Sequence, residues 1–229
     1  MKVAIMQPYF FPYIGYYQLI HSVDKFVIYD DVNYIKQGWI SRNRVLSNGE
    51  SIYFTLNLKG ASSNKYINEI EVGDNKVKLL KTIKQNYSKA SNFDSIFPLV
   101  ETILNNNESN LAQFLTYSIK SICSFLEINT EIYNSVDLGN DKSLKGEEKV
   151  IDICKVLNAD MYINSIGGKT LYSYDHFQSH NIELKFLKSR EFKYNQFKNS
   201  FVPWLSIIDV MMFNSITEIR KYLEDYILI

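Results

Sequence analysis

The sequence predicts an α/β fold of Rossmann-like type, a mainly parallel sheet with flanking helices and a helical insertion at about 75–126. Three observations carry this. Lys2-Val3-Ala4-Ile5-Met6 is a short apolar run closed by Gln7-Pro8, the pattern of a buried central strand that ends in a turn. A second run, Asp24-Lys25-Phe26-Val27-Ile28-Tyr29, ends in the carboxylates Asp30 and Asp31, and Tyr16 to Ser22 between the two suits a helix. Strand, loop, helix and strand at this spacing make a βαβ unit, hence a parallel pair with a right-handed crossover.

The remaining elements follow in chain order. Asn33 to Arg44 is polar, aromatic and basic, and Asn48-Gly49 predicts a tight hairpin turn into the alternating run Ser51–Leu58. Residues 59–66 read as a mobile loop and Asn68–Val72 as a short strand. Three helical patterns come next, Asn75–Ala90, Phe93–Leu104 and Asn110–Leu126, with Ser109-Asn110 as the N-cap of the last. Glu131–Val136 predicts a strand, Gly146–Asn158 an amphipathic helix with acidic residues in its first turn, and Met161–Ile166 a strand running into Gly167-Gly168. Ile182–Leu187 is another strand pattern, and Ser206–Leu228 supplies a closing helical region. With no repeat and no long linker, residues 1–229 read as one domain.

Composition limits the function classes. Lys+Arg and Asp+Glu both total 25, so no global field draws the chain toward nucleic acid or an anionic membrane. Cys123 and Cys154 each occupy an apolar position of a helical pattern, without C-x-x-C or metal-ligand spacing, and read as buried free thiols of a reducing compartment. Val3–Met6 is too short for a signal-peptide core, and no apolar run approaches the ~20 residues of a membrane span. The expectation is a cytoplasmic protein, with its oligomeric state left open.

Three stretches carry unusual chemistry. Gln7-Pro8-Tyr9-Phe10-Phe11-Pro12-Tyr13-Ile14-Gly15-Tyr16-Tyr17 follows the first strand, and its rings are either a hydrophobic plug over the sheet or a stacking wall for a base or sugar. Asp30 and Asp31 stand where parallel sheets bind ligands, and Lys36, Trp39, Arg42, Asn43 and Arg44 follow closely. Two arginines flanking an asparagine can clamp a phosphate or carboxylate, while the aspartates can bind a metal, a hydroxyl or an amine; Asp24 reads as a rim ion pair. The third stretch is Asn164-Ser165-Ile166-Gly167-Gly168-Lys169, where paired glycines let backbone approach an anion, although such a pair is more often only a turn. It matches neither the P-loop nor G-x-G-x-x-G. His176 and His180 are spaced i, i+4, but no H-E-x-x-H accompanies them, so an ordinary surface helix is the expectation and no metal is assigned. No serine lies in G-x-S-x-G.

Taken together, the motifs M-Q-P-Y-F-F-P-Y-I-G-Y-Y-Q-L-I, D-x-F-V-I-Y-D-D-V, W-I-S-R-N-R, Y-I-N-S-I-G-G-K-x-L-Y and L-S-I-I-D-V-M-M-F-N resemble the WbqC-like family, in order and over nearly the whole chain. The resemblance implies a bacterial protein of surface-polysaccharide biosynthesis, O-antigen assembly above all, acting on a nucleotide-linked amino or deoxy sugar, with acyl or aminoacyl transfer to the sugar amine as the expected reaction. On that reading Gln7, Tyr9, Phe10, Tyr13, Gly15 and Tyr16 receive the base or sugar. Arg42 and Arg44 hold the diphosphate, with the Gly167-Gly168 turn beside them; Lys36, Trp39, Asn43 and Ser165 complete the substrate site, and Asp30 or Asp31 orients or deprotonates the amine. The donor is unidentified, with acyl-CoA, an aminoacyl donor, or ATP with a free acid all open. The first unit is more faintly similar to nucleotidylyltransferases, with Tyr13-Ile14-Gly15-Tyr16 where they carry H-x-G-H; two phenols supply no cation for phosphate chemistry. A scaffold or sugar-nucleotide-binding role without catalysis is the alternative.

Overall fold

The computed structural model of the chain describes residues 1–198 and 200–229. Its elements are β1 (Lys2–Met6), α1 (Ile14–His21), β2 (Lys25–Ile28), β3 (Arg42–Ser47), β4 (Glu50–Thr55), β5 (Leu58–Lys59), β6 (Glu71–Val72), α2 (Lys76–Tyr87), α3 (Phe93–Leu104), α4 (Leu111–Phe125), β7 (Glu131–Asn134), α5 (Gly146–Val156), β8 (Met161–Ser165), α6 (Tyr174–Ser179), β9 (Glu183–Ser189), α7 (Ile207–Phe213), α8 (Ile216–Glu224) and β10 (Tyr226–Leu228).

A six-stranded sheet of order β10-β9-β8-β1-β2-β7 organises them. Every pair is parallel except β10 on β9, which is antiparallel. The α/β, mainly parallel, Rossmann-like expectation therefore holds. β1 is central because its residues are apolar on both faces: Ala4 belongs to one core, with Phe26, Ile28 and Ile163, whereas Val3 and Ile5 belong to the other, with Val27 and Tyr162. α1, α4 and α7 close the first core; α5 and α6 close the second. Chain order departs in opposite directions from β1, to β2 on one side and to β8 on the other, which makes the gap between β1 and β8 the topological switch point.

Between β2 and β7 lie the β3-β4 hairpin and helices α2 to α4. The hairpin turns through Asn48 (φ 50) and Gly49 (φ 84), both left-handed as a two-residue type I′ turn requires. Asn110 caps α4 by accepting from the Gln113 N–H at 3.2 Å.

Several boundaries differ from the sequence expectation. The run Ser51–Leu58 breaks into β4 and β5, because Asn57 leaves the ladder to accept from Gly73 N–H at 2.7 Å and donate to the Asn75 side chain at 2.8 Å. Asn68–Val72 is a 3₁₀ turn at Ile67–Glu69 plus the two residues of β6. The loop after β5 is tied at its end, where Tyr34 donates to the Lys65 carbonyl and Ile67 to that of Val32. Gly167-Gly168 lies within a 3₁₀ segment, Ile166–Leu171. The closing region is two helices and then a strand: Ser215 and Glu218 form a capping box that starts α8, and β10 leaves it to cover the edge of β9. Cys123 and Cys154 are buried free thiols, and burial pushes both up to about 12.

Candidate functional site

A cavity of about 570 Å³ opens at the switch point. Its floor is Met6 at the end of β1 and Ser165 and Ile166 at the end of β8, with Leu187 to Ser189 of β9 beside them. The aromatic loop forms one wall through Tyr9, Pro12, Tyr13 and Tyr16; Trp39, Asn43 and Arg44 form another, and Glu191 and Trp204 complete the rim. This volume suits a small organic ligand.

The loop is held by distant backbone and side chains. Asn43, at the start of β3, donates its amide to the carbonyls of Phe10 and Phe11 at 3.1 and 2.9 Å. The Ser206 hydroxyl donates to the Phe11 carbonyl at 2.7 Å, Ile207 N–H donates to Pro12, and Phe10 N–H donates to Trp39. Phe11 adopts φ 42, a left-handed conformation unfavourable for a side chain with a Cβ, which these bonds overdetermine. Phe10 and Phe11 are fully buried, and Phe10 stacks on Phe54 at 5.3 Å, so this half of the loop is a plug. Tyr9 and Tyr13 turn the other way and face the cavity.

Polar groups of the wall are few. Tyr16 donates its hydroxyl to the Gln7 carbonyl at 2.9 Å, which commits it, and burial raises it well above the ordinary phenol range. Tyr13 is pushed up to about 12, by burial first and by Glu191 second, so at neutral pH it is a neutral hydrogen-bond donor. Its ring centre is 5.2 Å from that of Trp204. Arg44 lies 5.7 Å from the Trp39 ring, forms no salt bridge among the described residues, and has a buried Nε without a hydrogen-bond partner. An unpaired guanidinium in an aromatic recess is a site for a phosphate or carboxylate.

Asp30 and Asp31 do not line this cavity. Asp30 is fully buried and accepts from Asn134 Nδ2 at 2.9 Å and Val136 N–H at 3.0 Å. Asp31 accepts from the Ser135 hydroxyl at 2.5 Å and pairs with Lys149 at 2.9 Å and Lys142 at 3.5 Å. Burial alone would raise the Asp31 carboxyl, but Ser135, Lys149 and Lys142 outweigh it and hold it below the usual range. Lys149 is itself buried, donates to the Asp31 carbonyl at 3.0 Å and lies 5.2 Å from the Tyr29 ring. This is a hydrogen-bonded and ion-paired network at the end of β2.

Comparison with known proteins gives the family of the chain. Residues 7–221 match the WbqC-like protein family. The chain belongs to that family. It is also 30% identical over 230 residues to Rv1507c of Mycobacterium tuberculosis (strain ATCC 25618 / H37Rv), a protein named as uncharacterized, with 97% of each chain covered. No solved structure matches.

Within this WbqC-like chain, the cavity thus gathers Tyr9, Tyr13, Gly15, Tyr16, Trp39, Asn43, Arg44 and Ser165 from the sequence-derived set. Gln7 supports it through its carbonyl. Phe10 packs in the core, Arg42 lies over the Tyr53 ring at 4.4 Å, Lys36 is exposed away from the wall, and Gly167 and Gly168 stand outside it. Gly168 instead gives Asn164 room: a Cβ there would lie 3.3 Å from its side chain. The cavity is also lined by Lys188, Glu191 and Trp204, which no local motif signals. Among the described residues, no helix is long and apolar enough to cross a membrane.

Proposed function

We propose that this protein is a transferase of surface-polysaccharide biosynthesis that binds a nucleotide-linked amino or deoxy sugar in the switch-point cavity and passes an acyl or aminoacyl group to the sugar amine. The observation that carries the reading is the unpaired Arg44 guanidinium set among Tyr9, Tyr13, Trp39 and Trp204 at the carboxyl ends of β1 and β8. Aromatic faces suit a base or sugar ring, and the guanidinium, with Lys188 nearby, suits the diphosphate. The transfer requires the amine to lose a proton as its nitrogen bonds to the acyl carbon and the donor's leaving group departs. Glu191 is the carboxylate that lines the cavity and is the group we assign to accept that proton. Asp30 and Asp31, committed to Ser135, Asn134 and the two lysines, support the end of β2 instead.

The test is calorimetric titration with sugar nucleotides and their parent nucleoside diphosphates, then mass spectrometry with candidate acyl, aminoacyl and ATP-activated donors. Binding followed by amide formation supports the proposal. Binding with no amide from any donor removes the transferase and leaves a sugar-nucleotide-binding or scaffold role. That second reading draws on the same committed state of Asp30 and Asp31. A nucleotidylyltransferase would release pyrophosphate from a nucleoside triphosphate, and the commitment of Tyr16 to Gln7 disfavours it.

A further inference from the structure

On the face of the sheet covered by α5 and α6, away from the cavity lining, Glu148, His176 and His180 converge: one ligand atom from each lies within 4.8 Å of the other two. His176 Nε2 and Glu148 Oε1 are already 3.4 Å apart. That is close to the roughly 3.3 Å edge of a tetrahedron built on metal bonds of about 2.0–2.1 Å. The other imidazole nitrogen, Nδ1, lies 2.8 Å from Glu147 Oε2, and Glu147 Oε1 accepts from the Ser173 N–H at 2.6 Å. A backbone amide therefore fixes Glu147, and Glu147 fixes the His176 ring with Nε2 turned toward Glu148. A carboxylate behind one imidazole nitrogen with the other left for a cation is the arrangement that orients histidine ligands. His180 stands alongside, its ring centre 5.3 Å from that of His176. Its side chain makes no hydrogen bond or ion pair among the described residues.

We propose that Glu148, His176 and His180 bind a divalent transition-metal ion of the zinc class, with Glu147 as the positioning carboxylate. Two imidazoles and one carboxylate are donors that suit Zn²⁺, whereas Mg²⁺ and Ca²⁺ take oxygen. Glu148 is exposed and free to rotate, and both histidines are partly exposed, so closing the ligand set requires side-chain movement only and leaves a fourth position to solvent. The ion ties the start of α5 to α6, the helix that follows the 3₁₀ segment leaving the cavity floor. It is a site separate from the ligand cavity and does not depend on the proposed reaction.

The competing account is an ion pair of His176 with two glutamates, and it has no use for His180. Chelator-treated full-length protein is titrated with ZnCl₂ by calorimetry and with CoCl₂ by visible absorption. One ion per chain is expected, with the absorption bands of tetrahedral Co²⁺. Affinity falls at least tenfold in His180→Ala, and roughly 10- to 100-fold in Glu147→Gln. Glu148→Gln, at an exposed position, shows the same loss and decides the matter if His180→Ala does not fold. Absence of saturable binding, or unchanged affinity in the His180 and Glu148 variants, overturns the site.

Discussion

Asn43 donates its side-chain amide to the Phe11 carbonyl at 2.9 Å, and so ties the first strand of the hairpin to a residue held at φ 42. The same amide reaches Phe10, and its oxygen accepts from the Arg44 N–H at 2.8 Å. One buried side chain thereby sets both the loop that presents Tyr9 and Tyr13 and the strand that presents Arg44. Asn43→Ala takes the side-chain donor from the Phe10 carbonyl, leaves Phe11 with Ser206 alone and strips the Arg44 N–H of its acceptor, and is expected to cost about 2 kcal/mol in urea unfolding. Asn43→Asp should cost more, since it turns an acceptor toward two acceptors. Both variants should weaken ligand binding, with tyrosine fluorescence reporting the loosened loop.

Arg44→Ala should weaken sugar-nucleotide binding roughly 10- to 100-fold, the loss of about 1.5–3 kcal/mol that a charge-assisted contact supplies. Arg44→Lys should recover little, because an ammonium reproduces neither the planar fork nor the contact with Trp39. Arg42→Ala, whose guanidinium lies over Tyr53 outside the cavity, should leave affinity nearly unchanged. Calorimetry on the three proteins checks the ordering, and an Arg42 effect equal to that of Arg44 would place the anion elsewhere.

Local signals were enough to read the sheet and most helices. The apolar run Val3–Ile5, the Asn48-Gly49 turn and the span Phe93–Leu104 are each specified by neighbouring residues. Half the site was legible for the same reason, since Tyr9, Tyr13, Trp39 and Arg44 lie close together in sequence. Glu191, Lys188 and Trp204 reach it from the far end of the chain without a motif, and only tertiary packing brings them there. Asp30 and Asp31 follow β2, which ends at Ile28, rather than closing the strand itself, and Lys149, the partner of Asp31, is 118 residues beyond it, too far for any spacing rule. Nothing local marks β10, since three residues after a helix carry no period.

Gly15 gives way to Ser189. A Cβ at Gly15 would stand 2.8 Å from the Ser189 hydroxyl, which is fixed at 2.5 Å on the buried Gln18 side chain. Gly15→Ala should therefore push α1 off β9, cost about 1–3 kcal/mol and narrow the cavity floor. Adding Ser189→Ala removes the clashing atom, so the double variant should lose less than the sum of the singles. Thermal unfolding of the four proteins measures that coupling, and strict additivity would show that the helix does not depend on the small residue.

The Asp31–Lys149 pair makes a prediction with a definite sign in pH. Asp31 is held below the usual carboxylate range in the folded protein, against about 3.9 when unfolded. Its contribution is therefore present above pH ~4 and is lost as pH falls through the lower folded value. Wild type should lose stability across that acid window more steeply than Asp31→Asn. At neutral pH, Asp31→Asn leaves the buried Lys149 ammonium without its carboxylate, a defect of about 3–5 kcal/mol. Turnover lost in that variant would thus report a damaged fold as readily as a missing base. Lys149→Met in the Asp31→Asn background removes the stranded charge and should restore much of the stability. Urea unfolding at neutral and acid pH for the wild type and the two variants tests this. If Asp31→Asn unfolds at the same urea concentration as wild type at neutral pH, the pair is not what holds the end of β2.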